Sequence, residues 1–117
     1  MTNPDTDALM PLPPATFQIL VALVDGDRHG YAIMQDIAGR TDGELTLSPG
    51  TLYRSIQRML EQGLIVELAS RPARHDDERR RYYRVTPFGR EVARAEARRL
   101  TQMLRLARAS GLAPGKA

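Results

Sequence analysis

Ser48-Pro49-Gly50-Thr51-Leu52-Tyr53 begins a helix, and the segments that follow it decide the fold. Serine is a favoured N-cap residue and proline is tolerated at the first helical position, so the helix starts at Pro49 and ends at Gly63. A strand from Leu64 to Ala69 and a basic return strand beginning Arg79-Arg80-Arg81-Tyr82-Tyr83 come next. The pattern predicts a helix followed by a two-stranded hairpin that carries arginine.

The two faces of this helix differ in chemistry. At about 100° per residue, one face collects the apolar side chains Leu52, Ile56, Met59 and Leu60. The other side presents Thr51, Arg54, Gln57, Arg58 and Glu61. The first face is therefore predicted to pack in the core, and the second is free to bind.

Three further segments lie upstream of this helix. The apolar run Phe17–Val24 predicts a buried helix, and a second, amphipathic helix is expected from Gly30 to Gly39. Alternating apolar and polar residues in Glu44–Leu47 predict a very short strand. Residues 1–12 have acids and prolines but no periodicity, so a disordered N-terminal tail is expected there.

A last helix is predicted from residue 87 to residue 110, with Thr86 as its N-cap, followed by a flexible tail at 111–117. Small and apolar residues recur along it with spacings of 4, 3, 4 and 3, from Ala93 to Ala107. Such a stripe favours pairing with a second copy of the same helix. The residues expected at a dimer interface are Phe17, Val92, Ala93, Ala97, Leu100, Leu104 and Ala107.

Charge is unevenly distributed along the 117 residues, although the net charge is only +3. Residues 1–44 hold two basic and seven acidic side chains, whereas residues 45–117 hold 15 basic and seven acidic ones. This segregation suggests that the second part faces a polyanion, although basic residues around a solvated helix would give the same count. Arginine makes up 16 of the 17 basic residues, which suits bidentate contacts to guanine and phosphate or reflects a GC-rich genome.

Several function classes lack support in the sequence. The chain has no cysteine, and its two histidines, His29 and His75, have no ligand spacing, so neither a metal site nor a cofactor is expected. No nucleophile has a base and an orienting group at a recognisable spacing, which argues against an enzyme. No apolar run approaches the roughly 20 residues that a bilayer requires, so the cytoplasm is the expected location.

The order of elements and four motifs resemble the PadR family of bacterial transcriptional regulators. The motifs are His29-Gly30-Tyr31, Ser48-Pro49-Gly50-Thr51-Leu52-Tyr53, Leu60-Glu61-Gln62-Gly63-Leu64-Ile65, and Arg81-Tyr82-Tyr83-Arg84-Val85-Thr86 with Gly89-Arg90, covering about residues 16 to 92. The resemblance implies a mainly α fold with a small β-hairpin (α+β): a winged helix-turn-helix over residues 13–86 with a C-terminal dimerisation helix. Arg54 stands where the family commonly has a second proline, and Arg81 where the wing often has lysine.

A winged helix would bind DNA with its third helix and with its wing, which in this chain is the predicted hairpin. The residues expected to contact DNA are Tyr31, Ser48, Thr51, Tyr53, Arg54, Gln57, Arg58, Arg79, Arg80, Arg81 and Tyr82. Two plainer interpretations stay open: Ser48-Pro49-Gly50 is only a strong helix start, and the wing arginines only keep an exposed hairpin soluble beside Asp76-Asp77-Glu78. One of Tyr82 and Tyr83 should face the core, because adjacent strand residues alternate.

The resemblance implies a homodimeric repressor that binds double-stranded DNA at a pseudo-palindromic operator and is released by a small aromatic ligand. A ligand cavity is expected between the helix of Phe17 and the last helix near Leu100 to Leu104. The alternative is a winged-helix module that binds an acidic protein partner without specific DNA binding.

Overall fold

The computed structural model describes residues 4–68 and 81–115. Its elements are α1 (Pro4–Asp7), α2 (Pro14–Val24), β1 (Arg28–His29), α3 (Gly30–Arg40), α4 (Pro49–Glu61), β2 (Ile65–Glu67), β3 (Tyr82–Val85) and α5 (Pro87–Ala109). The strands form one antiparallel sheet in the order β1-β3-β2. The predicted fold class, mainly α with a small β component, is confirmed, and the hairpin has a third strand beside it.

Side chains cap three of the long helices. Ser48 accepts a hydrogen bond from the N–H of Thr51 at 3.1 Å, and Thr86 accepts one from the N–H of Gly89 at 2.9 Å. At α3 the cap is His29, whose Nδ1 accepts from the N–H of Ala32 at 3.1 Å. Each bond satisfies a backbone donor that would otherwise have no partner in the first turn.

The core lies between α2, α3, α4, the sheet and the first half of α5. Its fully buried side chains include Ile19, Leu20, Leu23, Ile33, Ile37, Leu52, Met59, Leu64, Ile65 and Val92. Tyr83 belongs to this core, whereas Tyr82 is half-buried, so Tyr83 is the tyrosine that faces inward. Burial raises the pKa of the Tyr83 phenol above its ordinary value, because the ionised ring would lose its hydration.

The short strand predicted at Glu44–Leu47 is wrong. That segment is a loop, in which the Thr41 hydroxyl accepts a hydrogen bond from the N–H of Leu45 at 3.1 Å. Leu45 and Leu47 alternate with polar residues because both pack against the core, and not because a strand lies beside them. The third strand is instead β1, which pairs with β3 through Arg28 and Tyr83.

The prediction of a disordered tail over residues 1–12 is wrong for residues 4–12, which pack on the protein. Thr6 and Leu12 are buried, and the N–H of Leu12 donates to Glu96 Oε2 at 3.2 Å. Glu96 is 2% exposed and also accepts hydrogen bonds from Arg99 at 2.6 and 3.0 Å. A carboxylate on α5, 84 positions away, therefore holds the segment in place.

The two halves of α5 differ in burial. The first half packs against the protein, and Val92 has no exposed surface, so its prediction as a dimer contact is wrong. Ala93, also predicted at the interface, is buried too. Beyond Glu96 the helix leaves the core, and its apolar side chains lie exposed. In the described ranges, no helix has the length and apolar character needed to cross a membrane.

Candidate nucleic-acid interface

The outer face of α4 is open to solvent over its whole length. Tyr53, Arg54, Gln57 and Arg58 are exposed there, and Thr51 is half-buried. On the opposite face, Leu52, Ile56 and Met59 are buried in the core. Since the core fixes one face of the helix, the polar side chains of the other face project from a rigid support.

Hydrogen bonds connect the first turns of α4. Besides capping the helix, the Ser48 hydroxyl donates to Thr51 Oγ1 at 3.1 Å. Arg54 Nη2 donates to the same oxygen at 3.4 Å. Because Thr51 Oγ1 accepts both bonds, its own proton is left to donate to an acceptor outside the protein, such as a base edge or a phosphate.

Most arginines near the core already have an acceptor. The Arg84 guanidinium donates to both carboxylate oxygens of Asp27 at 3.0 and 2.9 Å, and these hydrogen bonds raise the pKa of Arg84. Arg40 likewise bonds Asp36 and Asp25, which raises its pKa. By contrast, Arg54 and Arg58 have no carboxylate within ion-pair distance in the described ranges. The positive charge of α4 is thus available to a ligand.

Aromatic rings gather around the start of α3. The Tyr53 hydroxyl lies against the Cα of Gly30, where a Cβ would overlap it. Tyr31, the next residue, is exposed. His29, the residue before Gly30, contacts the ring of Tyr82 edge-on, with the ring centroids 5.3 Å apart. The predicted contact residues of α3, α4 and β3 therefore lie close to one another, beside the outer face of α4.

The wing is described only at its base. Arg81 is exposed and lies 3.5 Å from Glu67 on the neighbouring strand, so its charge is partly offset. Arg79 and Arg80, and the predicted tip from Ser70 to Glu78, lie outside the described residues. DNA contacts by the wing stay a prediction.

A groove of about 450 Å³ runs between the start of α2 and the outer face of α4. Its lining residues are Pro13, Thr16, Thr51, Arg54, Ser55, Gln57, Arg58 and Glu61. The sequence reasoning missed Pro13, Thr16 and Ser55. Nothing in the sequence around Pro13 and Thr16 signals that they lie beside α4, because only the packing of α2 on α4 brings them there.

A second, smaller groove of about 200 Å³ separates α2 from α5. Its lining is apolar with an arginine rim: Phe17, Val21, Val24, Arg90, Ala93, Arg94 and Ala97. The ligand cavity was expected between Phe17 and Leu100–Leu104, so this groove lies on the expected helices but nearer the start of α5.

The second half of α5 carries the exposed apolar side chains. Leu100 and Leu104 belong to the predicted stripe and are 41% and 42% exposed. Met103 and Leu106, each 52% exposed, were missed because they fall outside the 4-3 spacing that selected the stripe. Leu100, Met103 and Leu104 lie within about 100° around the helix and together form what we term the α5 apolar face, whereas Leu106 lies about 160° from Leu104.

Known protein sequences are similar to this chain. A sequence model of the transcriptional regulator PadR-like family matches residues 19–95. The transcriptional regulator Rv3488 of Mycobacterium tuberculosis is 33% identical over 87 residues, which cover 74% of this chain and 76% of that protein. An uncharacterized protein of Lysinibacillus sphaericus is 38% identical over 72 residues, 62% of this chain. The chain spans 64% of that relative, slightly less than two thirds of its length.

Solved structures share the fold. A PadR family regulator from Clostridium difficile is 24% identical, with a TM-score of 0.71 over 82% of this chain and 96% of that one. Bacillus subtilis PadR, solved in complex with operator DNA, has a TM-score of 0.58 at 16% identity over 68% of this chain and 44% of its own. The PcaV regulator of Streptomyces coelicolor, solved with its natural ligand, has a TM-score of 0.68 at 20% identity, covering 86% and 64%.

The family match covers more than half of the chain and includes the helices and strands that carry the exposed α4 face. Family members are regulators of transcription and not enzymes. This chain belongs to the PadR-like family of transcriptional regulators.

Proposed function

We propose that this regulator is a repressor that binds a pseudo-palindromic operator as a homodimer in the bacterial cytoplasm. The observation that supports it best is the outer face of α4, where Arg54 and Arg58 project from a rigid helix without carboxylate partners among the described residues. The Bacillus subtilis protein of the same fold was solved on operator DNA, which is consistent with this use of the fold.

The start of α4 supplies the groups that would read bases. Arg54 can form a bidentate contact with guanine, and Gln57 can pair with adenine, each contact adding about 1–3 kcal/mol of discrimination. Among the described residues, the Gln57 amide forms one hydrogen bond, a long one of 3.4 Å to Glu61, so it can exchange that partner for a base. Tyr31, Tyr53 and Tyr82 would then contact the phosphates at the edges of the DNA major groove.

A second copy of the chain would supply the other half of the operator. The α5 apolar face leaves three large side chains exposed on one stretch of helix, and pairing with another α5 would remove them from water. Two recognition helices related by a two-fold axis would then address half-sites about one helical turn, roughly 34 Å, apart.

The test is to select bound sequences from a random DNA pool with the wild-type protein and with Arg54→Ala. We expect an enriched inverted repeat for the wild type, and relaxed preference at one position per half-site for the variant. Raising salt from about 50 to about 200 mM should lower affinity by about 10³ to 10⁵, if the dimer neutralises roughly 6 to 10 phosphates.

The same selection distinguishes a DNA-binding protein from a module that binds a protein partner. A module that used α4 to bind an acidic protein would enrich no DNA sequence. A DNA-binding protein should show at least micromolar to sub-millimolar affinity for random duplexes, about 10⁻⁶ to 10⁻⁴ M at physiological salt. A protein that neither enriched a DNA sequence nor bound random duplexes would contradict the proposal.

We further propose that a small aromatic acid can release the DNA from the groove between α2 and α5. Phe17 and Val21 provide an apolar wall, and Arg94 at the rim has no carboxylate partner in the described part of the chain. The groove holds about 200 Å³, less than the usual 300–1,000 Å³ of a ligand pocket, so only a one-ring compound fits. A phenolic acid panel that neither stabilises the protein nor weakens DNA binding would rule this out.

A further inference from the structure

The first turn of α2 differs from those of the other long helices because no side chain caps it. Its N-cap residue is Pro13, and Pro14 has no N–H to offer. The N–H of Phe17 bonds the carbonyl of Pro13 at 3.2 Å, but the N–H groups of Ala15 and Thr16 have no acceptor in the described ranges. Two orphan donors, together with the helix dipole, make this end electropositive.

The Thr16 side chain points to a ligand at this end independently. The residue is only 4% exposed, yet its hydroxyl has no hydrogen-bond partner among the described residues. Among the described residues, every side-chain oxygen that is completely enclosed has a hydrogen-bond partner. The Thr16 hydroxyl has no partner, so it must retain a small exposed surface, and we infer that this surface faces the groove that Thr16 lines. A nearly buried hydroxyl in this position is ready to donate to an acceptor that enters the groove.

The opposite wall of the groove favours an anion. Arg54 and Arg58 line it without carboxylate partners in the described part of the chain, and Ser55 adds a hydroxyl. Glu61 is the acid in the lining and accepts from Gln57. It lies seven positions beyond Arg54, about 10 Å along the helix axis, and three positions beyond Arg58, with which it forms no ion pair among the described residues. The arginine end of the groove therefore suits a group with several acceptor oxygens and a negative charge.

We propose that the uncapped start of α2, with the Thr16 hydroxyl, binds one backbone phosphate of the DNA that α4 enters. This rests on the proposed function, since the phosphate belongs to the same duplex. A helix lying in the major groove is flanked by the two phosphate backbones, and α2 borders one side of α4. The two N–H groups and the hydroxyl would donate to one phosphate, and Arg58 would supply the opposing charge, because Arg54 would be engaged with a base.

The first test compares the affinities of four full-length proteins for the selected operator: wild type, Thr16→Val, Thr16→Ser and Arg54→Ala. Valine keeps the shape of threonine without the hydroxyl, so we expect Thr16→Val to weaken binding about tenfold and Thr16→Ser to stay within about twofold. Thermal melts confirm that the variants fold. A folded Thr16→Val that binds as tightly as the wild type, while Arg54→Ala binds weakly, overturns the phosphate site and leaves the proposed function standing. Wild type that binds no DNA overturns both.

A second measurement locates the phosphate. Operators in which single phosphates are replaced by neutral methylphosphonates should include one position per half-site where the replacement weakens wild type more than Thr16→Val. If Thr16→Val does not fold, the amide proton resonances of Ala15 and Thr16 in the wild-type protein give the answer. They should move downfield when operator is added and move less with the methylphosphonate duplex; unchanged resonances would overturn the proposal.

Discussion

Single glycines show how closely the elements pack around the interface. A Cβ on Gly89, at the start of α5, would overlap the carbonyl oxygen of Leu64 and lie 2.9 Å from Val85 Cγ2. Because a backbone carbonyl cannot swing aside, Gly89→Ala should lower the free energy of unfolding by about 1–3 kcal/mol. The matched control is Gly39→Ala in α3, where no atom lies within 4 Å and a gain of about 0.5–1 kcal/mol is expected. Urea unfolding of both variants checks this, and equal values would contradict it.

Gly30 faces a movable neighbour, so its substitution should affect function more than stability. A Cβ there would meet the Tyr53 ring, which is 48% exposed and can turn away. We expect Gly30→Ala to change stability by less than about 1 kcal/mol but to weaken operator binding as much as Tyr53→Ala does. If Tyr53 carries the effect, the double variant should bind no worse than either single variant. Additive losses would show that Gly30 acts independently of Tyr53.

At the scale of elements, Glu96 joins the N-terminal segment to α5. Glu96→Ala would leave the buried N–H of Leu12 and the Arg99 guanidinium without their acceptor, which should cost about 1–3 kcal/mol. Glu91→Ala is the control, because Glu91 is exposed on the same helix and has no partner in the described ranges; its effect should stay within about 0.5 kcal/mol. Limited proteolysis should cut residues 4–12 faster in Glu96→Ala only. Equal cutting of both variants would mean that another contact holds the segment.

The elements that the sequence predicted correctly are those with local signals. Ser48 and Thr86 followed by proline predicted the starts of α4 and α5, and the 3.6-residue period predicted the buried face of α4. The strand Arg28–His29 was missed because two residues cannot show a period, and only pairing with β3 makes them a strand. The packing of residues 4–12 on the protein was missed because it depends on Glu96, which is far away in sequence.

At the candidate interface, too, the sequence predicted the features with local signals and missed those that depend on packing. The outer face of α4 could be predicted from periodicity and charge, since both are local properties of one helix. The start of α2 could not, because Thr16 looks like an ordinary helical residue until packing places it beside Arg54. Nor could the sequence show which arginines are available: Arg84 and Arg54 look alike until Arg84 is found to bond Asp27.

At the scale of the whole molecule, DNA binding and dimer formation should be coupled through α5. The described parts of the monomer leave Leu104 and the rest of the α5 apolar face in water, so a dimer is expected to form there. Leu104→Glu would place a charge in that interface and should yield a monomer in analytical ultracentrifugation. Gln102→Glu adds the same charge about 160° around the helix from Leu100 and Leu104, outside the α5 apolar face, and should leave the dimer intact.

The coupling makes a quantitative prediction for DNA binding. A dimer engages the second half-site as an intramolecular event, whereas a monomer must bind each half-site separately. Leu104→Glu should therefore bind the full operator no better than a single half-site, a loss of about 10² to 10⁴ in affinity. Its affinity for one half-site should equal that of Gln102→Glu, because α4 is unchanged. A monomeric variant that kept full operator affinity would show that each winged helix binds independently and that the α5 apolar face serves another partner.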